Sequence, residues 1–294
     1  MDKIELNSPA KINLGLYLLE KRPDGYHDIL TVFQAIDLHD TLTFQKTNST
    51  VVKTSSEGIR IPLGEDNLVL RAVRIFEKET GMKCGLEAHI IKRIPVGGGL
   101  GGGSSNAATA LNACNRLFGA GLSAEQLEGL AARIGSDVSF FIRGGAAIGQ
   151  GRGEILTPIE IPADYHIVLL CPDVSVSTAW AYSQAKIFLT KHEKMTNFRS
   201  IFPKFQYHAL RTGLQNDLEE VVFERHPRLR LLKEELYRRD AFYASMSGSG
   251  SSVYGLFRRG DAAEAARAFF LMHGKTTVFL CRPVPAVPSG NVPP

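Results

Sequence analysis

The sequence has no long apolar run. No uninterrupted apolar stretch approaches the roughly 18 residues that a membrane-spanning helix needs, so we expect no membrane partner. The apolar stretch Ile12–Leu19 contains Asn13 and is followed by charged residues rather than by the small residues of a cleavage site. We interpret this stretch as a strand rather than a leader peptide, and we expect a cytoplasmic protein.

Cysteine is scarce, and the cysteines are not paired in the sequence. Cys84, Cys114, Cys171 and Cys281 are far apart and form no CxxC motif. This spacing is typical of buried, reduced thiols and not of a disulfide framework. The histidines also lack the spacing of metal ligands, so the sequence alone leaves any metal ligands unknown.

Charge of one sign is not in large excess either. The chain has 34 Lys and Arg against 30 Asp and Glu, which leaves a net charge of +4. The basic residues are dispersed and not interleaved with aromatic residues, so we expect no nucleic-acid partner. A mildly basic protein is suited to small anionic ligands. The length of 294 residues is enough for one large domain or two of ordinary size.

The hydrophobic pattern predicts a mixture of strands and helices. Strands are predicted at Ile12–Leu19 and His27–Phe44, on either side of a hairpin-turn signal at Asp24-Gly25. Further strands are predicted at Leu86–Ile94, Ser139–Ile148, Tyr165–Cys171 and Thr276–Cys281, and a strand-turn-strand unit is predicted around ASMSGSGSSVYGLF. Helices are predicted at Asp66–Thr80, Ala107–Phe118, Ser123–Ile134, Ala179–Leu189, Asp217–Val222, His226–Asp240 and Asp261–His273. Because there is no regular βαβ alternation, the predicted fold class is α+β.

A stretch rich in glycine and proline, Gln150–Asp164, predicts a division into two domains. We place the first domain at residues 1–156 and the second at residues 157–282. The proline-rich tail, residues 283–294, is expected to be disordered.

The stretch IPVGGGLGGGSSNAATAL, residues 94–111, contains six glycines with Leu100 between them. A flexible linker does not explain the two serines and the small-residue helix that follow. A dinucleotide fingerprint GxGxxG is matched, but in so glycine-rich a run the match is nearly automatic, and no acidic residue follows at the required distance. The pattern favours a third interpretation, a phosphate-binding loop in which glycine amides and a helix N-terminus contact an anion, and the other two stay open at this point. We expect Leu100 to anchor this loop to the core.

The glycine loop lacks the lysine that a Walker A motif carries. No GK[ST] sequence ends the loop. A nucleoside triphosphate bound here would therefore need its lysine from another segment.

Three segments together resemble the GHMP kinases, a family of small-molecule kinases. PVGGGLGGGSSNAA is similar to the second motif of the family, SPAKINLGLYLLEKRPDGYHDI to the first and MSGSGSSVYGLF to the third. The resemblance covers essentially the whole chain. It implies a two-domain α+β fold with an N-terminal ATP-binding domain, an active site in the cleft between the domains, and ATP with Mg²⁺ as cofactors.

Within the family, PAKINL, RPDGYH, DNLVLRA and QNDLE are most similar to a subgroup of the non-mevalonate isoprenoid pathway. The resemblance implies ATP-dependent phosphorylation of the 2-hydroxyl of a cytidine-diphosphate-linked methylerythritol, by a monomer or homodimer. One departure is Ser139, where the family pattern has proline. Two alternatives stay open: another GHMP kinase, of homoserine or mevalonate type, and a catalytically silent nucleotide-binding protein.

The resemblance also implies roles for particular residues. Lys11 and Asp137 match the catalytic pair, in which Asp137 accepts the proton of the substrate hydroxyl. The residues implied in ATP binding are Asn67, Lys92, Pro95, Val96, Gly97, Gly98, Gly99, Leu100, Gly101, Gly102, Gly103, Ser104 and Ser105. Those implied in acceptor binding are Asn13, Tyr26, His27, Tyr182, Gly248, Ser249 and Gly250.

In this assignment two aromatic rings enclose the cytosine. Tyr26 stacks on one face of the base, and Tyr182 covers the opposite face. His27 forms a hydrogen bond with the edge of the base. Trp180 competes with Tyr182 for that last role. No carboxylate is assigned to Mg²⁺, which phosphates, Ser104 or Ser105, and water could hold.

Overall fold

The computed structural model of the protein describes residues 2–49, 51–64, 66–185, 207–273 and 275–285. Two β-sheets organise these residues. The first contains β1 Lys3–Lys21, β2 His27–Lys46, β3 Val52–Gly58, β4 Leu86–Lys92, β5 Ala146–Gln150 and β6 Ile155–Pro158. The second contains β7 His166–Pro172, β8 Tyr243–Met246, β9 Val253–Phe257 and β10 Thr276–Cys281.

The long hairpin of β1 and β2 is the centre of the first sheet. The strand order is β3-β4-β2-β5-β6, and β1 pairs with β2 outside this path. The pairs are antiparallel apart from β3 and β4, which are parallel. The second sheet has the order β10-β7-β9-β8 and is antiparallel throughout.

The helices begin and end at recognisable signals. In the first half they are α1 Leu68–Thr80, α2 Gly102–Phe118, α3 Ala124–Ala132 and α4 Phe140–Arg143. The others are α5 Thr178–Gln184, α6 Tyr207–Gly213, α7 Glu219–Arg225, α8 Pro227–Arg238 and α9 Gly260–His273. Asn67 caps α1, and Ser123 with Gln126 forms the capping box of α3. Gly119 ends α2 in the left-handed conformation. The α+β fold class is confirmed, and no described helix is both long and apolar enough to cross a membrane.

The core continues from one sheet to the other. One cluster packs the apolar faces of α1 and α2 against the first sheet, with Phe76, Leu111 and Phe44 among its buried members. A second cluster joins Ile12 of β1 to Ile167 of β7 and includes the buried side chain of Leu100. Leu100 therefore anchors the glycine loop to the core, as the sequence predicts.

One predicted strand is wrong in its first part and correct only at its end. Residues 140–143 of the predicted strand Ser139–Ile148 form α4, and the strand β5 begins only at Ala146. Phe140 and Phe141 are adjacent and both buried in the same cluster, which alternate faces of a strand would prevent. Gly144 and Gly145 then adopt positive φ angles of 67° and 71° and separate the helix from the strand.

Other boundaries differ more modestly from the predictions. The strands β3 and β6 and the helix α6 were not predicted. The predicted division after residue 156 falls inside β6, which pairs with β5. The helix α5 ends at Gln184 because Ala185 has extended backbone, and residues 186–189 of the prediction lie outside the described residues. Residues 286–294 of the tail also lie outside them.

Candidate active site

Lys11 lies in β1, next to the glycine loop. Its backbone N–H donates to the carbonyl of Leu100 at 3.0 Å. The side chain is buried, and Nζ donates to Asn13 Oδ1 at 2.7 Å and lies 3.3 Å from Asp137 Oδ2. The lysine that the loop lacks is thus placed beside the loop by a neighbouring strand.

Asp137 lies in the turn between α3 and α4. The neighbouring Val138 is buried, whereas the Asp137 side chain is 35% exposed. Ser139, which stands where the family pattern has proline, has a φ of −58° and precedes α4. Its hydroxyl donates to the carbonyl of Glu128 at 3.2 Å. A hydroxyl contact to α3 therefore holds the turn that presents Asp137.

The glycine loop needs glycine at particular positions. Gly97, Gly99 and Gly101 have φ angles of 74°, 76° and 69°, a conformation that side chains disfavour. A Cβ on Gly99 would lie 2.0 Å from the carbonyl oxygen of Ser247. The helix α2 begins at Gly102, so its free N–H groups and positive dipole end are at the loop.

The third motif braces the glycine loop. The hydroxyl of Ser247 donates to the carbonyl of Gly99 at 2.9 Å, and the N–H of Ser252 donates to the carbonyl of Gly98 at 3.2 Å. The N–H of Gly250 donates to the Ser247 carbonyl at 2.9 Å and closes the turn. Two motifs that are far apart in sequence therefore form one unit.

A cavity of about 300 Å³ lies along the glycine loop. We call it the nucleotide cavity. It is lined by Asn67, Lys92, Ser104 and the whole predicted segment Pro95–Gly103. Ser105 is different: it is fully buried and its hydroxyl bonds to that of Ser8 in β1 at 2.7 Å. Of the two serines, Ser104 is the one that faces the cavity.

Lys92 forms a buried ion pair with Asp40 beneath the start of α2. Asp40 is fully buried, and its other oxygen accepts from the N–H groups of Arg93 and Ile94 at 2.8 and 2.9 Å. Burial lowers the pKa of the Lys92 ammonium, and the ion pair with Asp40 acts in the opposite direction. Sequence reasoning missed Asp40, because an aspartate within a predicted strand carries no signal of its partner.

A second cavity, of about 830 Å³, brings the predicted catalytic and acceptor residues together. We call it the acceptor cavity. Its lining includes Lys11, Asn13, Asp137, Tyr26, His27, Tyr182, Gly248 and Ser249. Gly99 lines both cavities, so the glycine loop is the wall that they share. Gly250 lines neither.

The aromatic residues of the acceptor cavity are arranged around open space. The rings of His27 and Tyr182 have centroids 5.9 Å apart and are tilted by 39°. Tyr26 is 59% exposed. Trp180 does not line the cavity and instead lies against the guanidinium of Arg225, at 5.1 Å. The geometry therefore favours Tyr182 over Trp180.

His27 has an unused ring nitrogen. Its Nδ1 is buried and makes no hydrogen bond to any described residue. Burial lowers the pKa of His27, and the positive charge of Lys21 adds to this effect. The lowered pKa favours the neutral ring, and the residue that carries this unpaired nitrogen lines the acceptor cavity.

Asn216, in the QNDLE segment, is a second residue that sequence reasoning left without a role. Its Nδ2 donates to the carbonyls of Met246 and Gly248 at 2.9 and 2.8 Å. Its neighbour Asp217 accepts from the N–H of Leu18 at 2.8 Å. The segment therefore links the third motif to β1. The only sequence signal for this role was the similarity of QNDLE to the same segment of the kinase subgroup.

Two family models match the chain. Residues 67–145 match the GHMP kinases N terminal domain, and residues 202–273 match the GHMP kinases C terminal model. Together the matches cover more than half of the chain. The chain belongs to the GHMP kinase family, and this membership implies ATP as the phosphoryl donor and a small molecule as the acceptor.

Relatives within the family are named for one particular reaction. A 4-diphosphocytidyl-2-C-methyl-D-erythritol kinase from Thermodesulfovibrio yellowstonii is 40% identical over 270 residues, which are 89% of this chain and 92% of the relative. The kinase of the same name from Bacteroides thetaiotaomicron is 43% identical over 252 residues, which are 84% and 90% of the two chains.

Solved structures share the fold. A crystal structure of 4-(cytidine 5'-diphospho)-2C-methyl-D-erythritol kinase is 30% identical, with a TM-score of 0.79, and the match covers 95% of this chain and 99% of that one. A homoserine kinase from Cytophaga hutchinsonii has a TM-score of 0.78 at 18% identity and covers 97% and 96%. This second likeness shows the fold alone.

Proposed function

We propose that this protein transfers the γ-phosphoryl group of ATP to the 2-hydroxyl of 4-diphosphocytidyl-2-C-methyl-D-erythritol. One observation carries the proposal. A single cavity contains the Lys11–Asp137 ion pair and the aromatic residues Tyr26, His27 and Tyr182, and it shares Gly99 with the nucleotide cavity. The names of the relatives support the same acceptor.

In this mechanism Asp137 accepts the proton of the attacking hydroxyl. Lys11, held between Asn13 and Asp137, keeps the carboxylate ionised and offsets negative charge on the transferred group. Phosphoryl transfer has a loose transition state, so positioning and charge stabilisation contribute more than strong base action. The glycine amides and the N-terminus of α2 hold the phosphates.

Magnesium fits the donor set of the nucleotide cavity. The described residues contain no group of three or more His, Cys, Asp or Glu side chains able to hold a metal ion. Ser104 offers a hydroxyl oxygen in the cavity, and Mg²⁺ is commonly held by few protein ligands together with phosphates and water. When bound, it would neutralise charge on the phosphates.

The cytoplasmic location and the monomeric or dimeric state stay predictions from the sequence.

The acceptor cavity favours a nucleobase over a simple alcohol. Homoserine and mevalonate have no aromatic group to stack between rings and no ring edge to pair with the free nitrogen of His27. The Lys11–Asp137 ion pair also argues against a catalytically silent nucleotide-binding protein, in which this pair would have no task. Both alternatives can be tested directly.

The proposed reaction is tested with a panel of alcohols. Purified protein is given ATP and Mg²⁺ with 4-diphosphocytidyl-2-C-methyl-D-erythritol, homoserine or mevalonate, and ADP release is followed in a coupled assay. We expect turnover with the cytidyl alcohol and background rates with the other two. Turnover of homoserine or mevalonate in preference to the cytidyl alcohol would contradict the proposal, and ADP release with none of the three would support a silent protein.

Replacing Tyr182 identifies the second aromatic of the base site. Base stacking contributes about 1–3 kcal/mol per base on alanine substitution. We therefore expect Tyr182→Ala to raise KM for the cytidyl acceptor by about tenfold to a hundredfold, with little change in KM for ATP. Tyr182→Phe retains the ring and should behave like the wild type. If Trp180→Ala shows the larger effect instead, the assignment of Tyr182 is wrong.

A further inference from the structure

Arg152 is held at the rim of the acceptor cavity by a fixed turn. It lies between β5 and β6, and the flanking Gly151 and Gly153 have φ angles of 67° and 108°. The carbonyl of Gly151 accepts from the N–H of Ile29 in β2 at 2.7 Å. The backbone N–H of Arg152 itself donates to Glu154 Oε2 at 2.6 Å. The turn is thus fastened to the central strand, and the arginine has a defined position.

The guanidinium of Arg152 faces the base-binding residues. It lies over the ring of Tyr26, with Cζ 5.3 Å from the ring centroid, and the residue lines the acceptor cavity. Its Nε is buried and makes no hydrogen bond to any described residue. Glu154 Oε1 lies 3.8 Å away, too far for a hydrogen bond. The guanidinium therefore forms a long ion pair with Glu154, and no described residue accepts a hydrogen bond from its Nε.

The nearby Arg22, in contrast, is paired with two carboxylates. Its guanidinium contacts Asp24 at 3.1 Å and Asp28 at 2.9 Å, and it does not line the cavity. The remaining cations of the cavity are Lys21 and Lys11, and Lys11 is already paired with Asp137. The lining thus holds Arg152 and Lys21 as further cations, together with the carboxylate of Asp24, which is also paired with Arg22.

A cytidine-diphosphate-linked acceptor has an anionic part. Its diphosphate connects the base, which the aromatic residues would hold, to the alcohol at Lys11 and Asp137. The planar fork of an arginine matches phosphate oxygens in a bidentate manner, and it can stack on an aromatic ring at the same time. The structure shows the ring contact with Tyr26, and the place of Arg152 in the cavity lining would allow the phosphate contact as well.

We propose that Arg152 binds the diphosphate of the acceptor and so contributes specificity for a nucleotidyl alcohol over a free alcohol. The inference rests on the proposed function, since it needs a cytidine diphosphate in this cavity. Arg152 touches substrate in this view but takes no part in the transfer of the phosphoryl group. Its loss should therefore raise KM for the acceptor and leave kcat nearly unchanged.

The test compares cytidine 5'-diphosphate with cytidine as ligands of the intact protein, by calorimetric titration. We expect the wild type to bind the diphosphate more tightly than the nucleoside. In Arg152→Gln, affinity for the diphosphate should fall by about tenfold to a hundredfold, the range of a hydrogen bond to a charged group, while affinity for cytidine stays within about threefold. Arg152→Lys retains the charge and should recover part of the loss. Arg116→Gln, at the exposed end of α2, is the matched control and should change neither.

Two results would overturn the inference. If Arg152→Gln weakens both ligands equally, the arginine supports the ring of Tyr26 and does not contact phosphate. If it weakens neither, the arginine is not part of the site. A wild type that binds neither cytidine nor its diphosphate would instead contradict the proposed function, and the inference would fail with it.

Discussion

Asp137→Asn is expected to lower kcat for the cytidyl acceptor by about a hundredfold to ten-thousandfold, the range of a positioned general base. The substitution retains the shape of the side chain and removes the charge that lies 3.3 Å from Lys11 Nζ. Because Asp137 is partly exposed in a turn, we expect the fold to tolerate the change. KM for ATP should change little, since Asp137 does not line the nucleotide cavity.

The mechanism makes a sharper claim about Lys11 and Asp137 together. If the two residues act as one unit, their effects are not additive. We expect Lys11→Met alone and the double variant Lys11→Met/Asp137→Asn to lose about as much activity as Asp137→Asn alone. Single-turnover rates at saturating ATP provide the measurement, and thermal unfolding of each variant is the control for folding.

Two outcomes would contradict this mechanism. An undiminished rate of phosphorylation in Asp137→Asn would show that the carboxylate is not needed for the transfer. Strictly additive losses in the double variant would show that Lys11 and Asp137 act in separate steps. In the second case the ion pair between Lys11 and Asp137 would exist in the ligand-free protein but would not contribute to the transfer step.

The sequence predicts the parts of the site that leave a local signature. The glycine loop is visible because its glycines and the following small-residue helix are contiguous. Lys11 is predicted from the resemblance of its segment to the first family motif, and it meets the need of a loop that lacks its own lysine. In the structure its backbone N–H donates to the carbonyl of Leu100. The strands β1 and β2 are predicted from their apolar content and the turn between them.

Other parts depend on contacts that no local pattern records. Asp40 pairs with Lys92, which is 52 positions away, and Asn216 reaches the carbonyl of Gly248, 32 positions away. The first part of the strand predicted at Ser139–Ile148 was wrong for a related reason. Phe140 and Phe141 read as strand residues by propensity, but tertiary packing against the core selects a helical turn.

Gly99 is a position at which the structure allows little change. Its φ of 76° disfavours any side chain, and a Cβ would overlap the carbonyl oxygen of Ser247 at 2.0 Å. The contact is with backbone, so no rotation of a side chain can relieve it. The loop and the third motif must move apart if the position gains a methyl group.

We therefore expect Gly99→Ala to lower the free energy of unfolding by about 2–5 kcal/mol, from the positive φ and the overlap together. Gly97→Ala is the matched control, because its φ is 74° but nothing lies within 4 Å of the added Cβ. That variant should lose about 1–2 kcal/mol, the cost of the backbone conformation alone. Denaturant unfolding of both variants measures the difference.

Gly99→Ala should also affect both substrates. Gly99 lines the nucleotide and acceptor cavities, and a displacement of about 1 Å in a catalytic arrangement can cost about a hundredfold in rate. We expect kcat/KM to fall by about that factor for ATP and for the cytidyl acceptor alike. If Gly99→Ala is no less stable than Gly97→Ala, or impairs one substrate alone, the glycine loop is not the shared wall that holds the two cavities in register.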